Sequence, residues 1–95
     1  ENDVLEFFGI SLKIILTPGH TSGSACFLSG DILFSGDTLF NSSIGRTDFP
    51  GGDFEQIENS IRRKLYTLDE NTIVLSGHGD QTTIKQENLS NMFVR

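Results

Sequence analysis

The sequence has no tryptophan, one cysteine, two prolines and two histidines in 95 residues, and only seven Lys and Arg stand against thirteen Asp and Glu. Each shortage excludes something. A single cysteine, Cys26, cannot close an internal disulfide, and its apolar setting, Ala25-Cys26-Phe27-Leu28, suits a small buried hydrophobe better than a nucleophile. Without a thiolate pair there is no structural zinc site. A net charge of −6 argues against nucleic acid as a partner. The one basic cluster, Arg62-Arg63-Lys64, is explained more simply as a complement to a helix dipole than as a phosphate-binding patch. No apolar run approaches the roughly 18 residues needed to cross a membrane, and no charged-then-apolar signal opens the chain, so no membrane association is expected and the expected compartment is the cytoplasm. At 36% hydrophobic and 21% charged, with no low-complexity tract, the chain should fold. Its length allows one compact unit, burying roughly two-thirds of the unfolded surface.

Short apolar runs at 4–8, 12–16, 25–28, 32–34 and 73–75 have strand character and little alternation, which suits strands covered on both faces of a layered α/β protein. Ser29-Gly30-Asp31 joins the third and fourth runs as a hairpin. After Pro50-Gly51-Gly52, Asp53 and Gln56 form a capping box for a helix that carries Phe54, Ile57, Ile61 and Leu65 on its apolar face. Thr83 with Gln86 repeats the cap for a last helix carrying Leu89, Met92 and Phe93. Between them, segment 38–52 is far longer than the usual connection of about four to six residues, and loops of that length usually serve a function.

Chemistry concentrates in one repeated local pattern. Leu16-Thr17-Pro18-Gly19-His20, Phe34-Ser35-Gly36-Asp37 and Leu75-Ser76-Gly77-His78 each run from an apolar strand through a hydroxyl residue and a glycine to a side chain that can bind metal. Glycine there permits a sharp turn at the strand end, where a Cβ would clash. Singly, each has a plain alternative: a turn-capping histidine, a turn aspartate, a surface histidine. Three such ends in one sheet instead place two imidazoles and a carboxylate on one rim. That donor set suits zinc, iron or manganese rather than calcium, and an aspartate could serve one ion or bridge two.

Four stretches together resemble the later motifs of the metallo-β-lactamase superfamily, and most nearly its glyoxalase II-like hydrolases. They are Thr17-Pro18-Gly19-His20-Thr21-Ser22-Gly23-Ser24, Phe34-Ser35-Gly36-Asp37-Thr38-Leu39-Phe40, Ile44-Gly45-Arg46-Thr47-Asp48-Phe49-Pro50-Gly51-Gly52-Asp53 and Ser76-Gly77-His78-Gly79-Asp80. The resemblance implies an α/β fold, the C-terminal half of an αββα sandwich: a mixed sheet with helices on one face. It implies His20 on a first metal, Asp37 bridging two metals and acting as the catalytic carboxylate, and His78 on the second. Two zinc ions per complete site are implied, with iron or manganese as substitutes. The implied reaction is hydrolysis of a hydroxyacyl thioester by metal-activated water. Thr21 would hydrogen-bond beside the ligand. Arg46 would orient a substrate carboxylate or, as we prefer, pair with Asp48 to shape the loop.

The sequence departs from the family in one large way. It lacks the His-x-His-x-Asp-His motif of the first half of the fold, since both its histidines are already assigned. Residues 1–95 are therefore expected to be one partial domain, inactive alone. Its uncovered sheet face should pair with the missing N-terminal half or with itself. A smaller departure is Gly79-Asp80, where relatives often carry Gly-Pro. Two rival readings stand: an iron-dependent persulfide dioxygenase, in which His20 and Asp37 bind one iron and His78 does not, and a non-enzymatic assembly or binding module.

Overall fold

The computed structural model describes residues 4–7 and 9–95. In chain order the elements are β1 (Val4–Phe7), β2 (Ile10–Leu16), β3 (Ala25–Ser29), β4 (Ile32–Gly36), β5 (Leu39–Phe40), β6 (Ser43–Ile44), α1 (Phe54–Ser60), β7 (Ile73–Ser76), β8 (Thr82–Thr83) and α2 (Ile84–Ser90). The first strand matches the expected run, whose last residue, Phe8, lies outside the described residues. Six strands make one sheet in the order β1-β2-β3-β4-β7-β8, and β5 and β6 pair separately.

Register decides where the site can be. β2 is antiparallel to β3, β3 is antiparallel to β4, and β4 is parallel to β7. Hence β2, β4 and β7 run the same way, and their C-terminal ends share one edge of the sheet. The antiparallel β3–β4 pair turns through Gly30, whose φ of 58° suits a two-residue hairpin. The parallel β4–β7 pair requires a long crossover, which α1 supplies.

Both helices pack on one face of the sheet. Ile57, Ile61 and Leu65 from the α1 arm, with Ile84 and Val94, meet Ile15, Cys26, Leu33 and Val74 in a single buried cluster. Ile57, Ile61 and Leu65 are spaced four apart, which drifts around a regular α-helix of 3.6 residues per turn. The chain responds by widening: Ile61–Leu65 is π-helical, closed by the Tyr66 amide on the Ile61 carbonyl at 2.8 Å, and all three side chains stay buried. The cations Arg62, Arg63 and Lys64 lie in that last turn, where Arg62 pairs with Glu58 and Lys64 donates to the Leu16 carbonyl.

Several expectations need correction. Phe54, placed on the apolar face of the helix, is exposed. Asp53 does cap the Gln56 amide, at 3.2 Å, but its own N–H goes to the Gly19 carbonyl at 2.7 Å instead of completing a capping box. The last helix stops at Ser90, so Met92 and Phe93 lie beyond it, and they and Leu89 are exposed. Its buried side chains are Ile84 and the acidic Glu87. Segment 38–52 contains the β5–β6 hairpin, and β8 was not foreseen. Finally, the strands are not covered on both faces within this chain. In β4, Leu33 and Ser35 are buried while Phe34 is exposed, and Ile10, Leu12, Phe27, Ile32 and Phe34 line an apolar concavity on the side away from the helices.

Candidate metal centre

The shared edge brings together the three side chains singled out in the sequence. His20 follows β2 by four residues, Asp37 follows β4 directly, and His78 follows β7 by two. With Phe40, Gly45 and Arg46 they line one cleft of about 300 Å³. The His20 Nε2 atom stands 3.8 Å from Asp37 Oδ2, and His78 Nδ1 stands 3.3 Å from Asp37 Oδ1. Each carboxylate oxygen therefore faces a different imidazole. As they stand, no three His, Cys, Asp or Glu side chains among the described residues surround a common point; the contacts are pairwise along the carboxylate.

The glycines before these residues serve three separate ends. Gly19 has a φ of 145°, and a Cβ on it would come within 2.3 Å of the Ile57 Cβ, so α1 seats directly on the turn that carries His20. Gly36 adopts a φ of 53° in open space and serves the turn by conformation alone. Gly77 has no such backbone, yet a Cβ there would press to 3.2 Å from Asp37 Oδ1. The expected clash of a Cβ thus applies at Gly19, as crowding at Gly77, and not at Gly36.

His20 is oriented by a single bond. Its Nδ1 lies 2.7 Å from the carbonyl oxygen of Arg46, which can only accept, so Nδ1 carries the hydrogen. Neutral His20 then presents a bare Nε2 lone pair to a carboxylate oxygen. Two lone pairs facing one another are favourable only with a cation between them, a proton or a metal ion. An imidazole whose other nitrogen donates to a backbone carbonyl is the usual arrangement of a metal-binding histidine. His20 is 21% exposed, Asp37 46% and His78 80%, so the rim opens from the His20 side toward His78. The Phe40 ring stands edge-on to the His78 ring, with centroids 6.1 Å apart.

Beneath the rim lies a buried polar layer whose hydrogen bonds sequence reasoning missed. Thr17, Cys26, Ser35 and Thr38 are all buried. The Thr17 hydroxyl meets those of Thr38, at 3.2 Å, and the Cys26 thiol, at 3.4 Å, tying the His20 turn to the Asp37 turn. Burial pushes the Cys26 thiol pKa up, against weaker hydrogen-bond effects of Thr17 and Thr38. That is the setting of an inert structural cysteine.

The remaining expected residues divide. Arg46 and Asp48 form a two-pronged pair, Nε to Oδ1 at 2.9 Å and Nη2 to Oδ2 at 2.8 Å, and the guanidinium stacks 3.9 Å from the Phe49 ring centre. The hydrogen bonds from Arg46 hold the Asp48 carboxyl down at about 2. Thr21 does not reach His20: its hydroxyl meets that of Ser24 at 2.9 Å, across the turn. The carbonyl of Arg46 takes the role expected of Thr21, and no side-chain pattern in a sequence announces a backbone acceptor.

The family model of the metallo-beta-lactamase superfamily matches residues 1–78. The chain belongs to this superfamily. Hydroxyacylglutathione hydrolase GloC of Haemophilus influenzae is 45% identical over 99% of this chain and 45% of its own length. Among solved structures, the BLEG-1 B3 metallo-beta-lactamase superposes with a TM-score of 0.93 at 45% identity, over 99% of this chain and 46% of that one. ETHE1 of Myxococcus xanthus superposes with a TM-score of 0.92 at 36% identity, over 96% and 42%. The chain thus spans somewhat under half the length of these relatives. Its mixed sheet with two helices on one face matches the corresponding part of the superfamily fold. Among the described residues, no helix is long and apolar enough to cross a membrane.

Proposed function

We propose that this chain supplies the His20, Asp37 and His78 ligands of a two-metal centre, and that the complete protein hydrolyses hydroxyacyl thioesters. The observation that carries the reading is that His20 Nε2 faces one oxygen of Asp37 while the other oxygen faces His78. A carboxylate divided in this way suits a bridge between two cations. Imidazole and carboxylate donors without thiolate suit zinc first, with iron or manganese as substitutes. When bound, such ions lower the pKa of water to near neutrality and polarise a carbonyl.

The chain's own residues supply orientation. Arg46 fixes the ring of His20 through its carbonyl, Asp37 sets the spacing between the two imidazoles, and Phe40 walls the cleft beside His78. Arg46 spends its Nε–Nη2 edge on Asp48, and we assign it to holding the loop. The leaving group of a thioester needs no general acid, and beyond the proposed ligands and Arg46 none of the described residues lining the cleft is ionisable. A thiol, with a pKa near 8.5, leaves as thiolate without one. The kinship with hydroxyacylglutathione hydrolase GloC supports the same substrate class.

The test uses the full-length protein with S-lactoylglutathione and metal analysis. Two metal ions per chain with thioester cleavage are expected. One iron per chain, with oxygen consumed on a persulfide and no thioester cleaved, would replace the proposal with the dioxygenase reading that the likeness to ETHE1 keeps in view. A protein with no metal and no turnover would leave only a binding module.

A further inference from the structure

The one fully buried acidic side chain among the described residues is Glu87, on α2, and the proposed reaction makes no use of it. A carboxyl group is costly to bury unless donors meet it. Here they do: the Ser42 amide at 2.8 Å and Asn91 Nδ2 at 2.9 Å reach Oε1, and the Thr82 hydroxyl reaches Oε2. Asn91 also donates to the Ser43 carbonyl at 3.0 Å. Two residues one helical turn apart, on α2 and at its C-cap, thus grip Ser42 and Ser43, where the turn enters β6.

That turn has reason to need a grip. Ser42 has a φ of 63°, the only non-glycine residue in the left-handed region among those described, and the position would suit glycine or asparagine better. From the turn the chain runs straight into the site on both sides. On one side Phe40 stands against His78. On the other, Gly45 donates to the Thr38 carbonyl at 3.1 Å, and Arg46 next to it provides the carbonyl that orients His20. Gly45 has no freedom to shift, since even a Cβ there would lie 1.8 Å from the Asp37 carbonyl oxygen.

We infer that Glu87, with Asn91, is a positioning residue for the metal centre: from α2 it latches the β5–β6 turn and thereby holds the Arg46 carbonyl on His20 Nδ1 and Phe40 against His78. The inference concerns the orientation of His20 and rests on the proposed metal site only for its effect on metal affinity. The two are read separately.

In full-length protein, a ¹⁵N spectrum of the imidazoles reports the His20 Nδ1–H directly, and titration of metal-freed protein with cobalt(II) reports affinity and coordination bands. Glu87→Met should lose the single Nδ1–H form of His20 and weaken cobalt binding about 10–100-fold, the usual cost of removing an orienting partner. Glu87→Gln, which keeps an oxygen for the Ser42 amide, should retain the wild-type imidazole signal and bind cobalt within about threefold of wild type. If Glu87→Met does not fold, Asn91→Ala tests the same latch through Ser43 and should shift both signals in the same direction. A folded Glu87→Met or Asn91→Ala that unfolds at lower urea but keeps the His20 signal unchanged would make Glu87 merely structural and overturn the inference. Should wild type bind no cobalt, the metal reading fails, while the imidazole spectrum still decides the latch.

Discussion

At the scale of single residues, the account turns on which atoms are left with something to bind. His20 spends its Nδ1 hydrogen on a carbonyl, and Asp37 offers an oxygen to each imidazole. Asp37→Asn keeps the shape but replaces one of those oxygens with a donor. In the full-length protein it should cut metal affinity by at least about 100-fold, more than the loss of an orienting partner costs, as read by metal content after dialysis. Cys26 is buried and its thiol pKa is raised, so in the folded protein it should not react with a thiol reagent such as dithionitrobenzoate until the chain is unfolded. Asp48 titrates at about 2, below its unfolded value, because Arg46 hydrogen-bonds it. The pairing therefore favours the folded loop above the unfolded pKa near 4 and fades as pH falls toward about 2. A carboxyl ¹³C titration should place its midpoint well below the value near 4 of an aspartate in an unfolded chain. The pair is exposed, so its effect on overall stability should be slight.

At the scale of elements, strand ends and the helix seated against them make the site. Gly19→Ala forces a Cβ into the backbone of α1 at a φ of 145° and should destabilise the fold by about 3 kcal/mol. Gly36→Ala meets open space and bears only the cost of a left-handed φ, roughly 1–2 kcal/mol. Urea unfolding of the two variants separates the roles; equal losses would mean that α1 does not press on the His20 turn. The contrast also shows what the sequence could reveal. The repeated strand-hydroxyl-glycine-ligand pattern was legible because strand direction and chemistry both repeat over short spans. The π-helical turn, the β5–β6 hairpin and the early end of α2 were not. Each is set by partners distant in sequence: the sheet beneath Ile57, Ile61 and Leu65, and the Glu87–Asn91 pair against Ser42 and Ser43. Met92 and Phe93 continued a helical apolar rhythm, but Asn91 caps the chain by accepting the amides of Phe93 and Val94, and Val94 enters the core in their place.

At the scale of the molecule, one sheet face is covered by helices and the other is not. Ile10, Leu12, Phe27, Ile32 and Phe34 form an apolar surface on the open side, and the chain spans under half the length of its relatives. We propose that the remainder of the domain covers this face and adds the missing ligands. The isolated chain should then self-associate as its concentration rises, and Phe34→Lys should reduce that association; sedimentation as a monomer at high concentration would count against it. Fold class and the shared rim of His20, Asp37 and His78 could be read from sequence because they follow from pattern. The uncovered face was expected of half a sandwich, and the structure shows which residues line it, as alternate residues of β4 emerge on opposite sides. The most direct test of the whole account is anomalous diffraction from crystals of the full-length protein grown with zinc. The account expects one ion at about 2.0–2.2 Å from His20 Nε2 and an Asp37 oxygen, and a second at that distance from His78 and the other Asp37 oxygen. Zinc bound elsewhere, with His20 and Asp37 left facing each other across an empty gap, would contradict it.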